Sequence, residues 1–361
     1  MAETFPATFI VPGTYVEVRA EGLIRAGGVS TGNIAIVGTA SQGFDETHLL
    51  SSFDEALDAF GAYDEYNDGT GTRNLTRSLE LLYRNGARTV FARALDPGAN
   101  PAQGDYESAF AQLLLDDVQI ALAPELETAT ALAVLNPLTT NAESNGKDVI
   151  AVVGADATTA ATVVAQAINS GTGRIILSTP GIRAFDTAEG EVVSLNGRYS
   201  AAAIGGLLAS LPVQSSPTNK ILPGVPGLER RYSYGETVQL LQNRLCVLED
   251  RQGVRVVRGL TTNDGAFAQI TTRRITDLAK AGIRKASDPF IGRLNNARVR
   301  GALRAAIDGF LTTMVQNEAL IQYELEVTAT RDDEIAGRCN VNALLRPTFS
   351  IDFIAVTLVL E

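Results

Sequence analysis

Tryptophan is absent, histidine occurs once, and cysteine and methionine occur only twice each in 361 residues. Each scarcity removes a class of function. The one histidine, His48, falls in an expected loop beside Asp45 and Glu46. Without further metal-type neighbours it reads as a surface residue rather than a ligand or a base. Two isolated thiols, Cys246 and Cys339, cannot build a disulfide framework and fit a reducing compartment. There are no paired cysteines, no His-x-x-x-His and no nucleophile elbow. No stretch approaches the roughly 20 apolar residues that span a bilayer. The opening MAETFPATFIVPG has neither a basic nor an apolar leader region, so no secretion signal is expected. The chain also lacks a basic excess: its net charge is −11, which disfavours general nucleic-acid binding. No catalytic residue, cofactor or metal is expected.

What is present is a chain with 45% apolar and 20% charged residues, ordinary for a globular protein. Its length exceeds one typical core, so more than one domain is expected. The charge is uneven. Residues 1–219 hold 11 Lys and Arg against 25 Asp and Glu, whereas residues 220–361 hold 19 against 16. That asymmetry fits two domains of different composition, or an acidic outer part and a basic part that meets a partner.

Local patterns give an α/β (α+β) fold with mixed sheets and flanking helices. Asn33–Val37 reads as a buried strand, Ser51–Phe60 as a Ser-capped helix ended by Gly61, and Arg73–Arg84 as an amphipathic helix closed by Asn85-Gly86. Strands follow at Thr89–Leu95, Val149–Val153 and Ile175–Leu177, with a helix at Thr158–Asn169 between the last two. The Pro/Gly-rich stretch Asp96–Gly104 reads as a boundary, and a small insertion is expected at 96–146. Gly197–Leu211 reads as a helix with an apolar stripe of Tyr199, Ala203, Leu207 and Leu208. Ser233–Asn243 follows as a helix and Cys246–Leu260 as a hairpin. Helical patterns cover Thr271–Lys285 and Asp288–Gln316. In the second, Val299, Leu303, Ile307, Phe310 and Met314 form the apolar face, and Arg293, Arg300 and Arg304 fall at i, i+7 and i+11 on another. Arg293 and Arg300 have no acid four residues on, so the stripe suits an acidic surface or solvent.

Both ends read as strands. Near the N-terminus PGTYVEVR alternates through Thr14, Tyr15, Val16, Glu17 and Val18. Near the C-terminus PTFSIDFIAVTLVLE carries Phe349, Ile351, Phe353, Ile354, Val356 and Leu358. An apolar strand there needs a sheet to join, in its own molecule or in a neighbour. The domains expected are an arm at 1–20, an outer α/β domain at 21–240, and an inner domain at 241–361 ending in the strand 348–360. Two enzyme-like features are weak. NIAIVGTASQG (33–43) follows a strand with glycines but lacks GxGxxG and the GK[ST] of a phosphate loop. Asp332-Asp333-Glu334 lacks EF-hand spacing and reads as an acidic hairpin turn.

The order of these motifs resembles contractile tail sheath proteins of phages, R-type bacteriocins and extracellular injection systems. PGTYVEV with GVSTGNIAIVGTASQG looks like that family's arm and first strand. SSFDEALDAFG and LLYRNGARTVFARAL resemble its next unit, and ELEVTATRDDEIAG followed by RPTFSIDFIAVTL resembles its end. PGTYVEV departs slightly from the PGVYVEE form of the family, and residues 96–230 carry little of the likeness. The resemblance implies terminal strands exchanged between neighbouring subunits by β-augmentation, and hexameric rings stacked around an inner tube protein. It also implies contact with baseplate and terminator proteins, contraction that drives the tube through an envelope, and no nucleotide. It further implies Arg293, Arg300 and Arg304 facing the tube, assembly in the bacterial cytoplasm, and a place in a phage tail or released tail-like particle. Neither nucleic acid nor membrane insertion is implied. The competing expectations are another self-assembling tail component (tube or baseplate) and a nucleotide-dependent α/β enzyme. The length is short for the family, so few outer decorations are expected.

Overall fold

The structure is a computed structural model, and it describes residues 29–67, 74–167 and 173–359. The expected arm strand at Thr14, Tyr15, Val16, Glu17 and Val18 lies outside the described residues. The chain divides into two compact units. One contains Val29–Ala281 and the segment after Arg346, the other Gly282–Arg346.

In the larger unit the chain runs through β1 (Ile34–Thr39), β2 (Thr47–Leu50), α1 (Phe53–Phe60), α2 (Asn74–Arg84), β3 (Val90–Leu95), α3 (Gln103–Leu113) and β4 (Ile120–Leu122). It continues with α4 (Thr128–Ser144), β5 (Ile150–Gly154), α5 (Ala160–Gln166), β6 (Ile175–Thr179), β7 (Ile182–Asp186), β8 (Glu191–Leu195) and α6 (Ser200–Ser210). β9 (Gly227–Leu228), α7 (Tyr234–Gln242), β10 (Cys246–Asp250), β11 (Val254–Val256) and α8 (Ile270–Ser287) complete it, the last turns of α8 belonging to the smaller unit.

Eight strands form one sheet in the order β11-β10-β6-β5-β4-β1-β3-β2. The six central strands are parallel, and β2 and β11 close the edges antiparallel. β1 sets the register, with Ile34 opposite Val90 on one side and Ile120 on the other. Strands buried on both faces need apolar residues at every position. In β1, Ile34 and Ile36 enter one core while Ala35 and Val37 enter the other. In β5, Ile150 and Val152 are divided from Ala151 and Val153 in the same way. Helices α1, α2 and α6 cover the first face, and α3, α4, α5 and α7 the second. This is the expected α/β class, as a three-layer sandwich.

Several local expectations are met in detail. Ser52 caps α1 by accepting from the Glu55 backbone N–H, and Gly61 ends the helix at φ +77°. Ser233 and Glu236 make a reciprocal capping box at the start of α7. Other segments differ. Residues 96–146, expected as a small insertion, supply α3, β4 and α4, and β4 lies between β1 and β5 at mid-sheet. α4 escapes periodicity because it is rich in Ala and Thr and holds Pro137 inside it. Helix α6 was expected to show one apolar stripe, yet Ser200–Leu208 is buried all round. It is packed between the sheet and α2, and Gly206 allows that approach: a Cβ there would sit 2.4 Å from the Leu82 carbonyl oxygen. His48 lies on the edge strand β2, edge-on to Phe60 at 4.9 Å, rather than in a loop. The hairpin β7–β8, paired on its other side with β9, had no signal in the sequence reading. A buried ion pair, Arg77 to Asp186 at 3.0 Å, fastens it to α2.

At the foot of the sheet, where β5 and β6 begin, lies a buried ionic cluster. Arg174 is fully buried and reaches Glu143 (2.7 Å), Asp148 (2.8 Å), Asp277 of α8 (3.1 Å) and the Val149 carbonyl (3.1 Å). Arg273 adds a contact to Asp277 at 2.5 Å, and Lys280 reaches Glu143 and Asp148. Three acids face three cations, so α8 is tied to the sheet without net buried charge.

The smaller unit holds α9 (Ala297–Gln316), β12 (Leu320–Thr328), α10 (Arg331–Ile335) and β13 (Asn340–Pro347), whose final residue falls to the larger unit. α9 buries Leu303, Ile307, Leu311 and Met314 and packs on β12. The helical pattern expected over Asp288–Gln316 is interrupted. A 3-10 turn at Asp288–Phe290 and a bend at Gly292 (φ +82°) precede the Asn296 cap of α9. The acidic RDDEIAG turn is the short helix α10, capped by Thr330.

Candidate assembly surfaces

Three places could carry function: the segment after β13, the smaller unit's sheet with its arginines, and the crevice at the carboxyl ends of β1 and β4.

The first follows from composition. Thr348–Val359 belongs to no strand ladder of the described residues, although its pattern is that of a strand. Its large apolar side chains face outward: exposure rises from 60% at Phe349 to 85% at Leu358, with Ile351, Phe353, Ile354, Val356 and Val359 between. Apolar side chains scattered singly on a surface are normal, but seven within eleven residues make this segment a candidate docking element. One residue behaves differently. The Asp352 side chain is almost fully covered and accepts from Arg258 Nε at 2.7 Å, Gln269 Nε2 at 3.3 Å and Thr218 Oγ1 at 3.4 Å. The Arg258 guanidinium also lies 5.1 Å from the Phe353 ring centroid. Sequence reasoning passed over Asp352 and Arg258, yet a lone acid inside an apolar run was the signal available.

Among the described residues of the smaller unit β12 and β13 form a two-stranded sheet. Tyr323 on β12 donates its hydroxyl to Asp308 of α9 at 2.8 Å, which holds the strand against the helix. Each strand keeps one ladder edge without a partner among the described residues, and a two-stranded sheet is marginal alone. The three arginines are not one helical stripe. Arg293 precedes α9 and stacks on Phe290 at 5.3 Å. Arg300 is paired with Glu334 of α10 at 2.9 Å and bonded to Asn295. The acid missing at i+4 lies 34 residues away, where a search along one helix does not look. Arg304 is exposed and donates to the Leu325 carbonyl at 3.4 Å. Arg293 rims a shallow groove of ≈ 360 Å³ with Ile291, Leu294 and Cys339.

The third place is where a doubly wound sheet would bind a ligand. The strand order reverses between β1 and β4, and phosphates in such folds sit beyond those strand ends. Here the position is taken by the chain's own Glu125. Both of its carboxylate oxygens lie 2.9 Å from the Thr39 backbone nitrogen, and one accepts from Thr39 Oγ1 at 2.9 Å. The Tyr106 hydroxyl donates to it as well, and Arg198 donates to the Glu125 carbonyl at 3.0 Å. Burial pushes the Glu125 carboxyl above its ordinary value of 4.5, against the pull of those donors. A raised folded value means that the ionised form costs stability at neutral pH, and this cost fades as pH falls through the folded value. We therefore expect Glu125→Gln to be neutral or about 1 kcal/mol stabilising at pH 7. Its advantage should shrink as pH is lowered toward 4.5. The amide can still accept from Thr39 and donate to Tyr106. Thermal melts of both proteins at pH 7 and pH 5 test this, and a clear loss of stability at pH 7 would contradict it. Among the described residues no group of three or more His, Cys, Asp or Glu could hold a metal ion, and no helix is long and apolar enough to cross a membrane.

Comparison with known proteins gives a consistent result. A family model described as the phage tail sheath protein central domain matches residues 99–262, and one described as the phage tail sheath C-terminal domain matches residues 262–361. No curated protein sequence matches the chain. Among solved structures, one from the baseplate of the anti-feeding prophage is 18% identical, with a TM-score of 0.75 over 98% of this chain and 100% of that one. A sheath of the PVC extracellular contractile injection system in its contracted state is 17% identical, with a TM-score of 0.75 over 99% of both chains. The sheath tail protein of Desulfitobacterium hafniense is 13% identical, with a TM-score of 0.68 over 93% of this chain and 100% of that one. At these identities the likeness establishes the fold. The two family models are consecutive domains of one kind of protein and together span residues 99–361, so the chain belongs to the contractile tail sheath family and is a structural sheath subunit of a contractile system.

Proposed function

We propose that this subunit polymerises with copies of itself as stacked hexameric rings around an inner tube protein, and that contraction of the polymer drives the tube through a target envelope. The observation that carries this reading is the apolar segment from Phe349 to Val359, strand-like in pattern and exposed in the isolated chain. Added to the open edge of a neighbour's β12–β13 sheet it would gain main-chain hydrogen bonds and burial together. Thr14, Tyr15, Val16, Glu17 and Val18 would supply the second exchanged strand. Such links survive while subunit bodies turn, because a backbone ladder does not depend on how the bodies pack. The acidic and basic halves give complementary faces for the contracted packing. The exposed Arg293 and Arg304, with Arg300 held by Glu334, are the residues we assign to the tube. The work is done by assembly energy, without enzymatic activity; the occupation of the β1–β4 crevice by Glu125 supports that. Assembly takes place in the bacterial cytoplasm, with baseplate and terminator proteins at the two ends, as part of a phage tail or a released tail-like particle.

A second reading, a baseplate component, draws on the anti-feeding prophage likeness, which comes from a baseplate. Negative-stain electron microscopy of the chain alone, then with the tube protein of the same locus, separates the two. Hollow ridged cylinders support the sheath reading. Short capped rings that never elongate, with or without tube, support the baseplate reading.

A further inference from the structure

We propose that Arg258 and Asp352 form a clasp that fixes where the terminal segment leaves its own subunit, so that Ile354 onward is exported to a second copy of this chain and Ser350–Phe353 stays at home. This rests on the polymer reading given above and narrows its strand of 348–360 to a shorter reach.

The segment around the clasp is otherwise exposed and apolar. A carboxylate in such a run has no reason to be covered unless it is held. Asp352 is covered, with its side chain 6% exposed, and is held by three side chains from separate parts of the larger unit: Arg258 after β11, Gln269 before α8, and Thr218 in the loop before β9. The arrangement is built rather than incidental. Thr218 is itself fixed, because its Oγ1 accepts from the Gly259 backbone N–H at 3.1 Å. Ser350 Oγ lies 3.5 Å from Asp352 on the near side. On the far side the Phe353 ring lies 5.1 Å from the guanidinium carbon, so one arginine grips two consecutive residues by charge and by ring face. After Phe353 the large apolar side chains turn outward: Ile354, Val356, Leu358 and Val359 are 74–85% exposed. A strand that leaves from a fixed point reaches a neighbour at one register. One that leaves from a loose root can pair at several, because register is weakly specified without an anchor.

Chymotrypsin on the unassembled full-length chain reads the clasp directly, because Phe353 and Leu358 flank the boundary. Mass spectrometry of the wild type should show rapid cleavage after Leu358 and slow cleavage after Phe353. Arg258→Ala and Asp352→Ala should each speed the Phe353 cut up to about fivefold, since cleavage of a transiently opened segment follows its open population. The Leu358 rate should not change. Arg258→Lys should fall between, keeping the charge and losing the planar stack. In assembly, Arg258→Ala should give polymers of mixed helical pitch. Equal Phe353 cleavage in wild type and Arg258→Ala, or uniform wild-type pitch in the variant, overturns the proposal. A wild-type chain that never polymerises even with the tube protein would instead sink the sheath reading, and the cleavage result would still stand on its own.

Discussion

Removal of residues 348–361 is expected to leave a folded monomer that no longer polymerises under conditions where the intact chain does. The fold should survive because the described side-chain contacts of this segment with the body centre on Asp352 and Phe353. A part-exposed pair such as Arg258–Asp352 contributes about 0–1 kcal/mol, so the melting temperature should move by no more than a few degrees. Polymerisation should suffer far more. Burying a large apolar side chain contributes about 1.5–3 kcal/mol. The four beyond Phe353, namely Ile354, Val356, Leu358 and Val359, thus represent on the order of 10 kcal/mol of gross association energy per subunit link, before ordering costs. Ile354→Lys with Val356→Lys tests the same idea without shortening the chain: β propensity is partly kept and burial is lost. Sedimentation and electron microscopy give the readout, with circular dichroism confirming the fold. Full-length cylinders from the truncated chain would refute the linking role of Phe349, Ile351, Phe353, Ile354, Val356 and Leu358.

The second large effect lies in the core. Arg174→Ala should destabilise the monomer by about 3–5 kcal/mol, the cost of removing one member of a buried ionic group. The substitution leaves Asp148, Asp277 and Glu143 facing only Arg273 and Lys280, and takes the donor from the Val149 carbonyl. The cluster would then carry excess negative charge out of water. Its pH dependence has a defined sign. The Arg174 guanidinium is the main cause holding the Glu143 carboxyl well below its ordinary 4.5. A depressed folded value gives stability that is complete above the unfolded value and lost as pH falls through the folded one. The Glu143 share of the difference between wild type and variant should therefore be full at pH 7 and shrink below about pH 4.5. Burial holds the Asp277 carboxyl above its ordinary value although Arg273 and Arg174 pull it down, so loss of Arg174 raises it further and its share of the difference also shrinks as pH falls. Urea titrations at pH 7 and pH 4 measure both, and a pH-7 midpoint equal to wild type would show that the cluster holds α8 for no energetic gain.

Much of the larger unit was legible because its physics is local. β1, β5 and β6 are short apolar runs between turn residues, and α1 and α7 begin with a serine and an acid at the right spacing. Local rules failed where a third party decides the structure. α6 has no wet face because α2 lies over it, so a stripe was the wrong template. β4 has three residues and is defined by its neighbours β1 and β5. Arg300 finds its acid across the smaller unit, and Gly292 and Asn296 break a pattern that periodicity carried through. Glu125 was invisible because its role depends on Thr39, 86 residues away. The exposed apolar character of the segment after β13 was read from composition, since an apolar run declares its need for a partner whichever molecule supplies it.

That exposed run also limits how the subunit can be handled by a cell. A β-prone segment of seven large apolar side chains, with Asp352 as its one ionisable group between Phe349 and Val359, has little to keep two free copies from adhering in the wrong way. Misassociation of this kind grows with concentration, whereas docking onto a correctly placed end removes the sticky surface from solution. The safe regime is therefore a scarce pool of free subunits, drawn down by growing ends as fast as translation fills it. Overproduction without an acceptor should turn into insoluble material well before it harms the fold.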